Sequence, residues 1–169
     1  LVGCILADGG GTHTITSSLV VAPGGYITLA ASATPGFTPD YSYEGAFQLT
    51  NSGDSVSLTC DGAVVDVVAY DDASPWPGST NGSAISLDSD RQTTDANDFG
   101  VNWCQADSAD TYGTDGNLGT PGAANTDCTT TTYTIGWCNT QWPTSISAAE
   151  GTTETIYSRI YIAGLTDAT

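Results

Sequence analysis

The chain has no lysine, no methionine, one histidine and two arginines (Arg91 and Arg159) among its 169 residues. Without lysine, Schiff-base chemistry and Lys–Asn isopeptide crosslinks are excluded. His13 is the only histidine. It sits between threonines in an expected strand, and no G-x-S-x-G turn is present, so a hydroxyl nucleophile has no evident base and His13 reads as an ordinary strand residue. No window of a dozen residues keeps an apolar 3.6-residue period, so helix has little support. No run approaches the ~20 apolar residues that a transmembrane helix requires. Positive charge is nearly absent: 19 Asp and Glu face the two arginines, for a formal net charge of -17. Such a surface repels phosphate backbones and anionic lipid, which disfavours nucleic-acid and membrane partners, while it attracts cations and basic proteins. Solubility of a secreted protein is the simpler account of the same acidity. The start at Leu1, with no Met and no charged leader, reads as a processed product or a fragment.

Hydrophobic residues make up 39% of the chain, enough for one ordinary core with an appendage. Val, Ile, Thr and Tyr are abundant, so the expected fold is mostly β. Residues 1–6, 12–16, 19–22 and 26–31 read as strands separated by the Gly9-Gly10-Gly11 and Pro23-Gly24-Gly25 turns, and 32–45 as a loop in which Tyr41 and Tyr43 pack as lids. A hairpin follows, with Val56, Leu58 and Cys60 on one face. Asp61-Gly62 suits a type I′ turn, which demands positive φ at both positions. Val64, Val65, Val67, Val68 and Tyr70 form the most apolar strand, expected at the centre of the sheet. Residues 71–102 are loop-like apart from a short strand over 84–87, and a strand returns over 101–104.

The five cysteines, Cys4, Cys60, Cys104, Cys128 and Cys138, form no C-x-x-C pair and no Cys/His cluster, which favours disulfides and an oxidising compartment over zinc. The odd count leaves a free thiol, an intermolecular bond or a lost partner. Asp71, Asp72, Asp88, Asp90, Asp95 and Asp98 offer hard oxygen ligands to calcium but lack EF-hand spacing, and a solvated acidic loop is the preferred reading; no other cofactor is expected. The same reading outweighs paired carboxylates for glycoside hydrolysis. Trp103, beside Cys104 in a strand, reads as core. Trp76, between Pro75 and Pro77, is the one candidate for an exposed platform that stacks on sugars.

Several spaced motifs then fall into an order: Leu1-x-Gly3, the turn at Pro23-Gly24-Gly25-Tyr26, Phe47-x-Leu49-x-Asn51-x-Gly53-Asp54-x-Val56-x-Leu58, Asp61-Gly62 with Val64-Val65-Asp66, and Gly119-Thr120-Pro121-Gly122-x-x-Asn125. Together they resemble a lamin-tail domain of the type found in secreted bacterial proteins, over residues 1–125. The resemblance implies an all-β, immunoglobulin-like β-sandwich with a C-terminal extended β tail. It also implies that the family's usual first strand is absent here, leaving an open edge and a slot in the core. Residues 126–136, with their run of four threonines, read as a linker. The tail, 137–169, with Trp137-Cys138 and Gln141-Trp142-Pro143, is similar to the opening of a second module that often follows such domains. On that reading Cys138 is a free or intermolecular thiol, and Cys4 with Cys60 and Cys104 with Cys128 are the implied disulfides. The tail ends in a strand over 155–163 that alternates Ile156, Ser158, Ile160 and Ile162 against Tyr157, Arg159 and Tyr161, with too few strands around it to form a core alone.

The expected function is that of a non-enzymatic structural protein, extracellular or at the cell surface. In its sharpest form it is a filament subunit that assembles by donor-strand exchange, the Ile156, Tyr157, Ile160, Tyr161, Ile162 strand of one copy entering the slot of the next. Partners are then further copies of the chain or other extracellular proteins. The alternative is a binding or adhesion module for a carbohydrate or a basic protein within a larger secreted protein; a third reading is an accessory domain beside an enzyme.

Overall fold

The computed structural model describes residues 1–128 and the strands Ile135–Trp142 and Tyr157–Ile162. The chain divides into two compact units, Leu1–Thr129 and Thr130–Thr169. Strands carry the architecture, and helix is limited, among the described residues, to the single 3-10 turns Ser89–Arg91 and Gly100–Asn102.

In the first unit, β1 (Ile5–Ala7) and β2 (Thr12–Thr14) form a hairpin whose glycine turn is held by the Asp8 carboxylate, which accepts the Gly10 and Gly11 amides at 2.8 and 2.5 Å. Two short strands, β3 (Leu29–Ala30) and β4 (Tyr41–Ser42), pair in parallel, the second of them inside the stretch expected to be all loop. Next come β5 (Gly53–Cys60) and β6 (Ala63–Asp71), a long antiparallel hairpin. Its turn has positive φ at both central residues, 52° at Asp61 and 78° at Gly62, as a type I′ turn requires. Beyond it, β7 (Ile85–Leu87) pairs with β8 (Trp103–Gln105), and β9 (Thr111–Tyr112) with β10 (Asn117–Leu118). No ladder forms over residues 19–22, although Leu19 is buried.

The main sheet runs in the order β2-β1-β5-β6. This corrects the expectation for the valine-rich strand: β6 lies at the sheet edge, not at its centre. An apolar run without alternation is what burial on both faces produces, yet here β1 takes the second side of β5, and β6 has no further partner among the described residues.

The core lies at the β1 end of this sheet, where Cys4, Leu6, Ile15, Leu19, Tyr43 and Phe47 cluster. Leu6 stands opposite Leu58 across the β1–β5 ladder. Tyr43 stacks flat on Phe47, with ring centroids 4.3 Å apart. The Cys4–Cys60 disulfide fastens the chain start to the end of β5. A second disulfide, Cys104–Cys128, fastens the closing segment to β8, beside the bond from Asn125 Nδ2 to the Leu87 carbonyl (2.8 Å). Crosslinks across 56 and 24 residues stabilise by restricting the unfolded chain, by about 4 and about 3 kcal/mol on chain-entropy grounds. Two disulfides belong to an oxidising, extracellular-type environment, and none of the described helices is long and apolar enough to cross a membrane.

In the second unit, β11 (Ile135–Trp142) and β12 (Tyr157–Ile162) form an antiparallel pair that places Cys138 opposite Ile160 and Asn139 opposite Arg159. The terminal strand thus has a partner strand that the sequence pattern did not announce. Ile156 and the outer ends of the expected 155–163 strand lie outside the described residues.

Candidate functional site: an open strand edge beside an interlayer cleft

Strand alternation sets the site. On β5 and β6 the cross-strand pairs Val56–Val68 and Asp54–Tyr70 share one face of the sheet, because residues two apart point the same way. On the facing pair, Leu87 stands opposite Trp103 and Ile85 opposite Gln105, so Ile85 and Trp103 share a face. Between the two sheets lies a cleft of about 340 Å³ lined by the apolar Leu49, Val56, Val68, Ile85 and Trp103 together with Asp71, Thr80 and Ser83. Trp103 is fixed by donating from its indole Nε1 to the Asn97 carbonyl (2.8 Å). Asn97 Nδ2 in turn donates to Asp66 Oδ2 on β6 (2.7 Å), which ties this wall of the cleft to the edge strand.

Tyr70, on β6, lines the cleft and donates its hydroxyl to the Thr50 carbonyl (2.7 Å). Burial pushes its phenol above the ordinary tyrosine value, and the nearby Asp54 and Asp8 charges add to the rise. Asp54 is held below the ordinary aspartate value by the backbone N–H groups of Ser55 and Thr50, which donate to its carboxylate at 2.8 and 3.0 Å.

Away from the cleft, β6 exposes valine: Val67 is 45% exposed, and Val64 and Val65, at the register shift between the Leu58–Asp66 and Thr59–Val64 pairs, are 65% and 50% exposed; Ile5 on the same sheet is 40% exposed. Asp66 is the strand's interior charge, and its Oδ1 accepts the Val67 N–H (2.9 Å). Natural sheets blunt an exposed edge with lysine, proline, a bulge, an inward charge or a covering segment; the nine-residue β6 carries a register shift beside Val65 and the charge of Asp66, and keeps its exposed valines.

The other sequence candidates lie apart from this site. Asp71 accepts the Ala73 amide (3.0 Å) and Asp88 the Asp90 amide (3.1 Å), so these carboxylates cap local turns, while Asp72 and Asp90 are exposed. Among the described residues, no three or more His, Cys, Asp or Glu side chains converge as metal ligands would. Trp76 is partly buried rather than displayed: its ring tilts against Trp103 with centroids 5.6 Å apart. A Cβ added to Gly100 would stand 2.8 Å from both its Cγ and its backbone nitrogen. His13 Nε2 shares a 2.6 Å hydrogen bond with the Tyr41 hydroxyl, a contact that fastens β2 to β4.

The sequence reading expects an open edge and a slot where a first strand is absent but places neither at β6; it reads Trp103 as core and Val56 as sharing a strand face with Leu58 and Cys60. Nothing in an alternation pattern tells a filled core from a gap between two sheets. No protein-family model, curated protein or solved structure matches the chain.

Proposed function

We propose that this chain is a non-enzymatic extracellular structural module, an immunoglobulin-like sandwich of lamin-tail type, that joins to an extended segment by strand addition at β6. The observation that carries this reading is the nine-residue β6, which has no partner on one side among the described residues and is lined with exposed valines, beside an apolar cleft reached from the same strand. Strand addition uses main-chain hydrogen bonds for affinity and pockets for alternate side chains for selectivity, and both are offered here. When the added segment belongs to a neighbouring subunit, the contact is head-to-tail and propagates into a filament. The test is the Val65→Lys/Val67→Lys variant, which places charge on exposed positions of the edge and leaves the core unchanged. Negative-stain microscopy and light scattering of the unaltered chain are expected to show regular fibres or large particles, and the variant should give single particles of unchanged thermal midpoint. Single particles from the unaltered chain at every concentration would remove the assembly reading.

The cleft favours a second reading, a binding module. Trp103 and Tyr70 supply aromatic surface, and Asp71 adds an acidic residue to the lining, a combination suited to a cationic or sugar-bearing ligand. Tryptophan fluorescence titrated with neutral oligosaccharides and with a basic peptide checks it, and an unchanged signal with both probes rules it out.

A further inference from the structure

Resting on the strand-addition reading, we infer that the segment received at β6 is β12 of a second copy. Charge selects it. The stretch from Asp61 to Asp72 holds Asp61, Asp66, Asp71 and Asp72 and no base. A partner strand must therefore be free of acid and preferably cationic, because like charges across a strand pair are destabilising. Acid-free windows of a dozen residues or more run over 9–39, 73–87, 128–149 and 155–166, and only the last of these carries an arginine. Arg91 stands among Asp88, Asp90 and Asp95, whereas Arg159 lies in residues 155–166, a window with no acid at all. That window contains β12.

The structural needs of the two elements match. The second unit's described sheet consists of β11 and β12 alone, and an isolated two-stranded sheet is marginal in water unless it gains a third strand or a packing surface. The six residues of β12 extend about 20 Å, against about 30 Å for the nine of β6, so the incoming strand fits within the edge. The Val67 amide is engaged by the Asp66 carboxylate, and a cationic strand approaching Asp66 competes for that carboxylate and frees the donor for pairing. Each copy presents one acceptor edge and one donor strand, so the assembly is open-ended.

The test is complementation between full-length chains. An acceptor-blocked chain, Val65→Lys/Val67→Lys, and a donor-broken chain, Ile160→Pro, are each expected to be monomeric by light scattering, and an equimolar mixture to give a complex containing one of each. Arg159→Glu, which leaves the strand-forming residues in place, should weaken self-association by about ten-fold or more. If Ile160→Pro and Arg159→Glu both assemble like the unaltered chain while the lysine variant does not, β12 is not the donor and strand addition at β6 stands. If the lysine variant assembles like the unaltered chain, strand addition at β6 itself falls. Salt supplies an independent sign: two copies of this chain repel each other, and the screening length falls from about 30 Å at 0.01 M to about 8 Å at 0.15 M. Self-assembly should therefore strengthen as salt rises over that range. Binding that weakens instead points to a basic partner of another kind and overturns the second-copy assignment.

Discussion

Individual carboxylates and phenols set how this protein responds to pH. Asp40 is held below its ordinary value by the Thr28 backbone amide and then the Thr28 hydroxyl, which donate at 2.7 and 2.8 Å, and Asp54 by the amides described above. A carboxylate whose folded pKa is depressed adds stability that is complete above its unfolded value, about 4, and disappears as pH falls through the folded one. Thermal midpoints should therefore drop below about pH 4, and Asp40→Asn and Asp54→Asn should each flatten that drop. Tyr43 and Tyr70 act at the other end. Burial is the main cause raising both phenols, with Asp8 adding at each. Their contribution is complete below about pH 10 and is lost as pH rises through the folded value, so Tyr70→Phe should make the alkaline unfolding limb shallower. At Gly100, where a Cβ would meet Trp76 at 2.8 Å, alanine should cost roughly 1–3 kcal/mol, seen as a lower urea midpoint. Some of this detail was legible in the sequence. Asp61-Gly62 announces its turn because few residue pairs accept two positive φ angles. The capping roles of Asp71 and Asp88 were not legible, since an Asp-rich loop reads the same whether its carboxylates meet backbone amides, calcium or water.

At the scale of elements, periodicity located most strands and misjudged their neighbours. The β5–β6 hairpin and the short β7 were readable because their apolar residues lie between strong turn signals. The place of β6 was not, because a valine run reports apolar character on both faces and carries no information about which strand lies alongside. β11 escaped notice because its Trp137, Cys138, Asn139 and Thr140 neither alternate nor form an apolar run. The Cys4–Cys60 bond joins the chain start to β5 at the edge of the core, so Cys4→Ser/Cys60→Ser should lower stability by about 4 kcal/mol, measured by denaturant unfolding of the isolated variant. The penalty should exceed that of Cys104→Ser/Cys128→Ser, because the closed loop is longer.

For the molecule as a whole, charge is the dominant quantity. A formal charge of -17 with two arginines means that compaction brings like charges together, and screening relieves the repulsion. The thermal midpoint of the monomeric Val65→Lys/Val67→Lys chain should rise with sodium chloride through the physiological range, and a midpoint independent of salt would show that the carboxylates are too dispersed to matter. The oxidising environment was legible from five cysteines that form no C-x-x-C pair and no Cys/His cluster. The cleft was not, because a gap between sheets is a property of their separation and no single residue encodes it.

The Cys104–Cys128 crosslink ends one residue before the first unit does at Thr129, and this gives the molecule a defined load path. Tension applied through the second unit reaches a covalent anchor on β8 before it reaches any hydrogen bond of the closing segment, so the loop between the two cysteines, which lie 24 positions apart, is shielded from peeling. Stretching a single oxidised molecule should leave that loop intact, and prior reduction should release about 80 Å of additional contour length.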